Sequence, residues 1–328
     1  MNVRERIEVA ERSQLSDWAQ LVAESKGREQ QEADDPIRTD FQRDRDRIVH
    51  SKAFRRLAHK TQVFLAPEGD HYRVRLTHTL EVTQVARTIA RALALNEDLT
   101  EAICLGHALG HTPFGHLGEE VVAEFHPGFR HNLQSVRIVE VLEDLNLTWE
   151  VRDGIANHTW TMPMPDTLEG QIARYADRIA YINHDIDDAI RAGILSDSDL
   201  PVATRDTLGR THAKRTATMV NDLVAASQGR DEIGMSEPVF AAMAETRTFL
   251  FERVYLGVVA RATRQRVETI ISSLLDHHLK SLQDKGVPEA EARAGAVDYV
   301  AGMTDRFALK AFETLMGGPP GAGAVQLG

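Results

Sequence analysis

The chain has 328 residues, of which 42% are hydrophobic, and this length allows one large domain or two small ones with an ample core. Its formal net charge of -11 argues against general nucleic-acid binding, because such binding requires a basic surface that releases counterions. A single cysteine, Cys104, excludes an internal disulfide and fits a reducing cytoplasm.

The amino-terminal segment is charged rather than apolar, and no run in the chain reaches the roughly 18 apolar residues of a membrane span. We therefore expect a cytoplasmic protein with no signal peptide and no membrane partner. Four apolar residues between Leu15 and Val22 recur at helical spacing, which predicts one amphipathic helix that packs on the rest of the protein. A run of alternating charge from Arg38 to Arg47 is typical of a solvated surface with salt bridges.

The next helix is expected to have Thr77 as its N-cap and an apolar stripe from Val82 to Leu93, so that His78 lies in its first turn. A further helix is expected to carry His107 at its carboxyl end. No strand-like alternation separates these segments, and the pattern therefore predicts helix after helix.

The segment 105–116 contains three histidines and three glycines within twelve residues. His107 and His111 are four residues apart, so on a helix their rings project from one face. Pro113 ends that helix and places His116 on a loop or in a new first turn. A single histidine of this kind is most often bound by backbone carbonyls at a buried helix end, but three at this spacing predict an active-site wall.

Polar residues also mark the starts of the later helices. Glu119 lies one turn beyond the histidine segment, and His131 is expected to begin another helix. Asp166 and Glu169 have the spacing of a capping box. The helix that follows has an apolar face from Ile172 to Ile190. The opposite face, which would ordinarily be exposed to solvent, carries Asp177, Tyr181, His184, Asp185 and Asp188.

The region from Pro201 to Phe312 is helical in pattern and has no separate catalytic cluster. His277 and His278 would point about 100° apart on a helix, and we interpret them as structural. The glycine- and proline-rich residues 317–328 predict a flexible tail.

Residues 107–116 read His-Ala-Leu-Gly-His-Thr-Pro-Phe-Gly-His. They resemble the His-Asp-Leu-Gly-His-Thr-Pro-Phe-Gly-His motif of HD-domain phosphohydrolases, in particular the deoxynucleoside-triphosphate triphosphohydrolases. The similarity begins near Arg38 and includes the segment Tyr175–Asp185 and the segment Gly302–Arg306. The aspartate that gives the motif its name is replaced by Ala108 in this chain.

The resemblance implies an all-α fold, namely an HD-domain helical bundle with additional C-terminal helices. We expect a single helical domain over residues 1–316, with the HD core at about 70–190 and the C-terminal helical region at about 201–316.

The resemblance also implies that His78, His107 and Asp177 bind a divalent metal, with Ala108 at the position of a missing fourth ligand. Two imidazoles and a carboxylate suit Mg²⁺, Mn²⁺ or another transition metal such as Fe, Co or Ni. Such a metal lowers the pKa of bound water and polarises a phosphoryl oxygen. Loss of one carboxylate predicts weaker metal binding and a large loss of rate.

Enzymes of this family attack the α-phosphorus and release a deoxynucleoside and inorganic triphosphate. The resemblance implies that Glu119 and His131 form a pair that acts in proton transfer or in-line attack. The implied catalytic residues are Glu119, His131, His111 and His116, of which the last two also contact phosphates. The implied substrate-binding residues are Arg75 and Arg178 at the phosphates and Gln62, Tyr181 and Asp185 at the deoxyribose.

The expected partners are deoxynucleoside triphosphates and further copies of the chain in a homo-oligomer, and a nucleotide activator stays open. Two alternatives to this function also stay open. One is an HD phosphohydrolase that acts on a different nucleotide. The other is a nucleotide-binding sensor that assembles without hydrolysis, for which Ala108 would be the native residue.

Overall fold

The computed structural model describes residues 1–62, 73–255 and 258–317. Regular structure within these ranges is helical, and the only β-type pairing among them is an isolated bridge between Thr61 and Val74. The predicted all-α fold is thus confirmed. Of the predicted flexible tail 317–328, only Gly317 lies within the described residues.

The described residues form a succession of α-helices joined by short connections, several of which are single turns of 3₁₀ or π helix. The helices are α1 (Val3–Gln14), α2 (Asp40–His50), α3 (Lys52–Arg56), α4 (Arg75–Ala92), α5 (Glu97–Gly106), α6 (Gly115–Phe125), α7 (His131–Arg137), α8 (Trp149–Asn157), α9 (Leu168–Arg191), α10 (His212–Ser227), α11 (Glu237–Leu250), α12 (Val258–Gln283), α13 (Glu289–Ala301) and α14 (Asp305–Leu315).

The buried apolar residues form two clusters. The larger one surrounds α9, which packs against α4, α5, α8, α10 and α11. The smaller one surrounds α12, which packs against α6, α13 and α14. The ring of His278 on α12 lies 4.2 Å from the ring of Tyr299 on α13, as expected of a packing residue. Of the helices in the described ranges, none has an apolar stretch long enough to cross a membrane.

The amino-terminal segment differs from its prediction. Helix α1 ends at Gln14, Leu15 is extended, and Val22 lies in a single 3₁₀ turn, Val22–Glu24, so the predicted amphipathic helix over Leu15–Val22 does not form. The buried carboxylate of Glu11 accepts hydrogen bonds from the backbone N–H of Val22 (2.9 Å) and from the side chain of Asn96 (3.0 Å). These contacts between distant parts of the chain fold the segment back across the body, and local periodicity does not encode them.

Helix α4 begins three residues earlier than the sequence predicts. Val74 is the N-cap, and the hydroxyl of Thr77 accepts a hydrogen bond from the Val74 N–H (3.1 Å) from within the first turn. Thr77 therefore caps the helix from within its first turn, because its side chain points back to Val74, the residue before the helix. His78 remains in the first turn, as expected, because the shift of the helix start is small.

Helix α9 begins at Leu168 with Thr167 as its N-cap, so the predicted capping box of Asp166 and Glu169 is wrong. The Glu169 carboxylate is fully buried, and one of its oxygens accepts the backbone N–H groups of Gln20 (3.1 Å) and Asn96 (2.9 Å). It therefore joins the amino-terminal segment to α5. Its other oxygen has no partner among the described residues, and burial raises the pKa of Glu169 to about 7.

We predict that Glu169→Gln removes a pH dependence of stability. The folded-state pKa lies above the ordinary value of 4.5, so the stability that the neutral carboxyl contributes is present below pH 4.5 and is lost as the pH rises through about 7. The amide oxygen of glutamine can accept the same two N–H groups without ionising. The unfolding free energy of wild type relative to Glu169→Gln should fall by roughly 2–3 kcal/mol between pH 4.5 and 8 in urea titrations. A pH-independent difference would contradict this assignment.

Candidate active site

Three predicted metal ligands from three helices lie together. His78 from α4, His107 at the end of α5 and Asp177 from α9 have ligand atoms within 4.8 Å of one another. Oδ1 of Asp177 lies 3.1 Å from Nε2 of His78 and 3.8 Å from Nε2 of His107. Because α4 and α5 both pack on α9, the pairing of these helices brings the three side chains to one point.

The surroundings of the two imidazoles orient their Nε2 atoms towards this point. His107 donates from Nδ1 to the backbone carbonyl of Cys104 (2.6 Å), which leaves its buried Nε2 with a lone pair and no partner among the described residues. Nδ1 of His78 lies 2.8 Å from Nε2 of His184. Metal-binding histidines are commonly held in this way through their second nitrogen. The donor set therefore fits a divalent transition metal with open positions.

The ionisation of these groups favours metal binding. Burial lowers the pKa of His107 to about 4 and also lowers the pKa of His78, so both rings are neutral near pH 7. Burial acts to raise the pKa of Asp177, but the hydrogen bond from His78 and the field of His107 outweigh it and hold that pKa far below its usual range. The site thus combines two neutral imidazoles with one carboxylate.

Ala108 follows directly and is fully buried. Its carbonyl accepts a hydrogen bond from Nδ1 of His111 (3.1 Å), and its methyl group is part of the larger apolar cluster. The side chain offers no ligand atom at this position.

The loop after α5 turns sharply before α6. Phe114 has a left-handed backbone with φ of 63°, and Gly115 follows with φ of 62°. His116 then lies in the first turn of α6, which is one of the two positions that the sequence leaves open, and its ring is 6.1 Å from that of Tyr255. A side chain at position 115 would place its Cβ only 3.2 Å from the backbone oxygen of Gln62, so glycine allows this close approach.

A second group lies beside the metal ligands. The Glu119 carboxylate accepts hydrogen bonds from the backbone N–H of His131 (2.9 Å) and from its Nδ1 (2.9 Å), and the ring of His111 stacks on that of His131 at 3.9 Å. His111, Glu119 and His131 also have ligand atoms within 4.8 Å of one another. Among the described residues, the first group has a buried ring nitrogen without a hydrogen-bond partner, Nε2 of His107, and the second group has none, so the first group is the better candidate for a metal site.

His158, from the end of α8, extends this second group. Its Nδ1 donates to the carbonyl of Ile155 (2.8 Å), so its Nε2 carries a lone pair, and that atom lies 3.3 Å from Nε2 of His131. Burial lowers the pKa of His158 to about 3, which keeps it neutral. A hydrogen bond between these two atoms therefore requires a proton on Nε2 of His131, whose Nδ1 already donates to Glu119.

Two predicted phosphate-binding arginines are buried and incompletely paired. Arg75 is 1% exposed, and its Nε and Nη2 have no hydrogen-bond partner within the described part of the chain. Burial lowers its pKa to about 10, while the fields of Glu119, Asp305 and Asp177 act to raise it. The Arg178 guanidinium stacks 3.7 Å above the ring of Trp160, and its Nε is likewise unpaired.

The predicted deoxyribose residues lie close to these arginines. Gln62 is buried and its side-chain oxygen has no partner among the described residues. Tyr181 lies near Arg178, and burial raises the pKa of Tyr181 to about 12. Asp185 is buried and accepts a short hydrogen bond from the hydroxyl of Tyr255. Two surface clefts, of about 200 and 170 Å³, lie elsewhere and have none of the predicted site residues in their walls.

Most of the chain is similar to known protein families and proteins. Residues 75–182 match the HD domain, and residues 233–314 match the phosphohydrolase-associated domain. A deoxyguanosinetriphosphate triphosphohydrolase-like protein from Caldanaerobacter subterraneus subsp. tengcongensis is 54% identical, over 96% of this chain and 96% of that protein. The chain belongs to this family.

A second relative supports the same family, and a solved structure supports the fold. A family member of the same name from Desulfatibacillum aliphaticivorans is 47% identical over 96% of this chain and 98% of its own length. A crystal structure of a phosphohydrolase from Bacteroides thetaiotaomicron has a TM-score of 0.53 at 16% identity, over 81% of this chain and 67% of that one, which shows a shared fold. HD domains bind divalent metals, and the group of His78, His107 and Asp177 is a candidate site for one.

The sequence analysis did not single out three residues that contact the site. His158 faces His131, Trp160 stacks on Arg178, and Tyr255 binds Asp185. The first two lie in the short segment Asn-His-Thr-Trp after α8, where a histidine and a tryptophan close together were the only available signal. Tyr255 lies in a mainly apolar stretch of the sequence, 249–259, which carries no motif that would mark it as a site residue.

We predict that Ala108→Asp strengthens metal binding by roughly 100-fold, because it adds an anionic ligand next to His107 and even outer-shell changes alter metal affinity by 10–100-fold. Without metal, the new buried carboxylate should lower the melting temperature, and added Mn²⁺ or Co²⁺ should restore it. Titration calorimetry measures the affinity. Ala108→Asn is the matched control, since it has the same size without the charge, and equal affinity in both variants would contradict the prediction.

Proposed function

We propose that this chain is built to bind deoxynucleoside triphosphates and hydrolyse them to deoxynucleoside and inorganic triphosphate, and that Ala108 impairs the hydrolysis. The proposal rests on one observation. The buried Nε2 of His107 has no hydrogen-bond partner among the described residues, and the buried Arg75 lies close enough to Asp177 for the field of that carboxylate to act on its guanidinium. A metal-ligand group beside unpaired arginines suits a polyphosphate. The names of the relatives supply the substrate class.

His78, His107 and Asp177 would hold a divalent metal, which would supply an activated water and polarise the α-phosphoryl oxygen. The chain's own residues bind and orient the substrate. Arg75 and Arg178 are cations whose unpaired N–H groups can donate to phosphate oxygens that gain charge in the transition state. Because its Nδ1 donates to the carbonyl of Ala108, His111 can donate to a phosphate only when protonated, which a bound polyanion favours.

Glu119 and His131 suit proton transfer. Nδ1 of His131 donates to Glu119, and a hydrogen bond from His131 to His158 requires a proton on Nε2 of His131 as well. When the bond between the α-phosphorus and the 5′-oxygen breaks, the leaving oxygen requires a proton, and His131 could give it. Orientation of the attacking water by the same pair stays open. His116, in the first turn of α6, is proposed to contact the phosphates beside them.

Recognition of the sugar is proposed for Gln62, Tyr181 and Asp185. The unpaired side-chain oxygen of Gln62 and the carboxyl of Asp185 can bind the 3′-hydroxyl, while the ring of Tyr181 would pack against C2′ and leave no room for a ribose hydroxyl. Burial raises the pKa of Asp185 to about 7, so it can donate or accept there. A homo-oligomeric state, a nucleotide activator and a cytoplasmic location stay predictions.

The missing ligand at position 108 favours a second candidate, a nucleotide-binding sensor without turnover. In that case all the pocket residues serve affinity, and ligand binding would change the mass of the protein in solution. Equilibrium binding of a nucleotide, combined with light scattering, separates this candidate from a disabled enzyme.

We predict that Ala108→Asp, but not the unaltered chain, releases deoxynucleoside and inorganic triphosphate from at least one of the four deoxynucleoside triphosphates with Mg²⁺ or Mn²⁺. Chromatography of both products is the measurement. In the Ala108→Asp background, Glu119→Gln replaces the carboxylate with a neutral amide of the same shape and should lower kcat by about 100-fold or more, as expected for loss of proton-transfer catalysis.

Full turnover by the unaltered chain would refute the proposed impairment. Release of orthophosphate or pyrophosphate in place of triphosphate would instead favour an HD phosphohydrolase with a different reaction. If neither form releases any product while both bind metal and nucleotide, the sensor is the better description.

A further inference from the structure

We infer that Asp305, at the start of α14, is a positioning residue that fixes the turn between His111 and Gly115 against the segment that carries Gln62. The consequence for phosphate affinity rests on the function proposed above. The consequence for the shape of the turn does not depend on it.

The contacts of Asp305 are made with two separate backbone segments. The side chain is 8% exposed, and its Oδ1 accepts the N–H of Phe114 (3.0 Å) while its Oδ2 accepts the N–H of Thr61 (3.0 Å). A carboxylate is the side chain that offers a separate strong acceptor to each of two donors. The position of Asp305 in the first turn of α14, behind the N-cap Thr304, also suits its charge.

The Phe114 N–H is the part of the turn that most needs an anchor. Phe114 is 2% exposed and adopts a left-handed backbone conformation, which is unfavourable for a residue with a side chain. Without Asp305 its buried N–H would lack this acceptor. A local conformation of this kind persists only when its surroundings impose it, and here the C-terminal helices supply that constraint.

Lys60 makes a second connection between the same three regions. Its buried ammonium group donates to the backbone carbonyls of His111 and Ala301, the latter at 2.8 Å. Lys60 and Asp305 therefore bind the residues at both ends of the turn, 111 and 114. Through their hydrogen bonds, Lys60 and Asp305 hold together a segment before the HD match, the turn inside it and the phosphohydrolase-associated region.

The geometry of the turn affects Arg75 directly. An ideal Cβ at Gly115 would lie 3.6 Å from Nη2 of Arg75 and 3.2 Å from the backbone oxygen of Gln62. The guanidinium proposed to bind phosphate therefore borders the space that a side chain at position 115 would occupy. A displaced turn would change the space around that guanidinium, whereas the metal ligands on α4, α5 and α9 are held by other contacts.

The test is Asp305→Asn in the full chain. An asparagine has one acceptor oxygen, so one of the two N–H groups must lose its acceptor and face an N–H₂ group instead. Hydrogen exchange of peptides covering 60–62 and 111–116 should accelerate at least about 10-fold, and the Kd for inorganic triphosphate should rise by about 10-fold. The affinity for Co²⁺ should change less than about twofold, since the metal ligands are unaffected.

The matched control is Asp222→Asn. Asp222 also accepts a backbone N–H through its carboxylate, that of Ser236 at 2.9 Å, but its contacts lie in the connection between α10 and α11. This variant should leave exchange at 60–62 and 111–116 and the triphosphate Kd unchanged. Asp305→Glu keeps the charge but lengthens the side chain, and it should show the same pattern at smaller amplitude if Asp305→Asn does not fold.

Unchanged exchange at 111–116 in the folded variant would overturn the inference. Equal loss of triphosphate and Co²⁺ affinity with faster exchange throughout the protein would also overturn it, because Asp305 would then stabilise the fold in general. If the unaltered chain binds no triphosphate, the proposed function fails, and the local exchange pattern alone still decides the role of Asp305.

Discussion

The enclosure of α9 by protein is the constraint on which the site depends. Nearly all of its residues are buried, so its polar groups must find partners inside the molecule. Glu169 binds two backbone N–H groups, and Asp188 accepts hydrogen bonds from Arg73 and Arg191. Asp177 is different, because its ion-pair partners in the described ranges are the imidazoles of His78 and His107, and part of its surface is exposed. A metal ion bound to Asp177 and His78 would take the place of the proton that Nε2 of His78 donates to this carboxylate.

The parts of the site that the sequence could predict are those set by local spacing and by family resemblance. The break at Pro113 predicts His116 on a loop or in a new first turn, and His116 does lie in the first turn of α6. The shared helix face predicted for His107 and His111 is wrong, because α5 ends at Gly106 and His107 is its C-cap. The face of α9 that carries Asp177 was assigned to the pocket against its ordinary interpretation as a solvent-exposed stripe. That assignment came from the family motif, since amphipathic periodicity alone favours exposure.

The parts that could not be predicted depend on contacts between distant segments. The apolar residues after α1 have helical spacing, but Glu11 binds Val22 and stabilises a fold-back. Asp166 and Glu169 have the spacing of a capping box, but Glu169 faces Gln20 and Asn96 instead. Nε2 of His158, at the end of α8, contacts Nε2 of His131, at the start of α7. No spacing rule connects residues that meet only because two helices pack.

The way His107 is held also has a practical consequence. Its Nδ1 is fixed by the carbonyl of Cys104, and the side chain of that residue is the only thiol in the protein. The thiol is fully buried, and burial raises its pKa far above the usual range, so it is unreactive in the folded state. Alkylation of this sulfur therefore requires α5, the helix that ends at the candidate metal ligand His107, to open. The rate at which Cys104 is alkylated thus measures how often that helix opens.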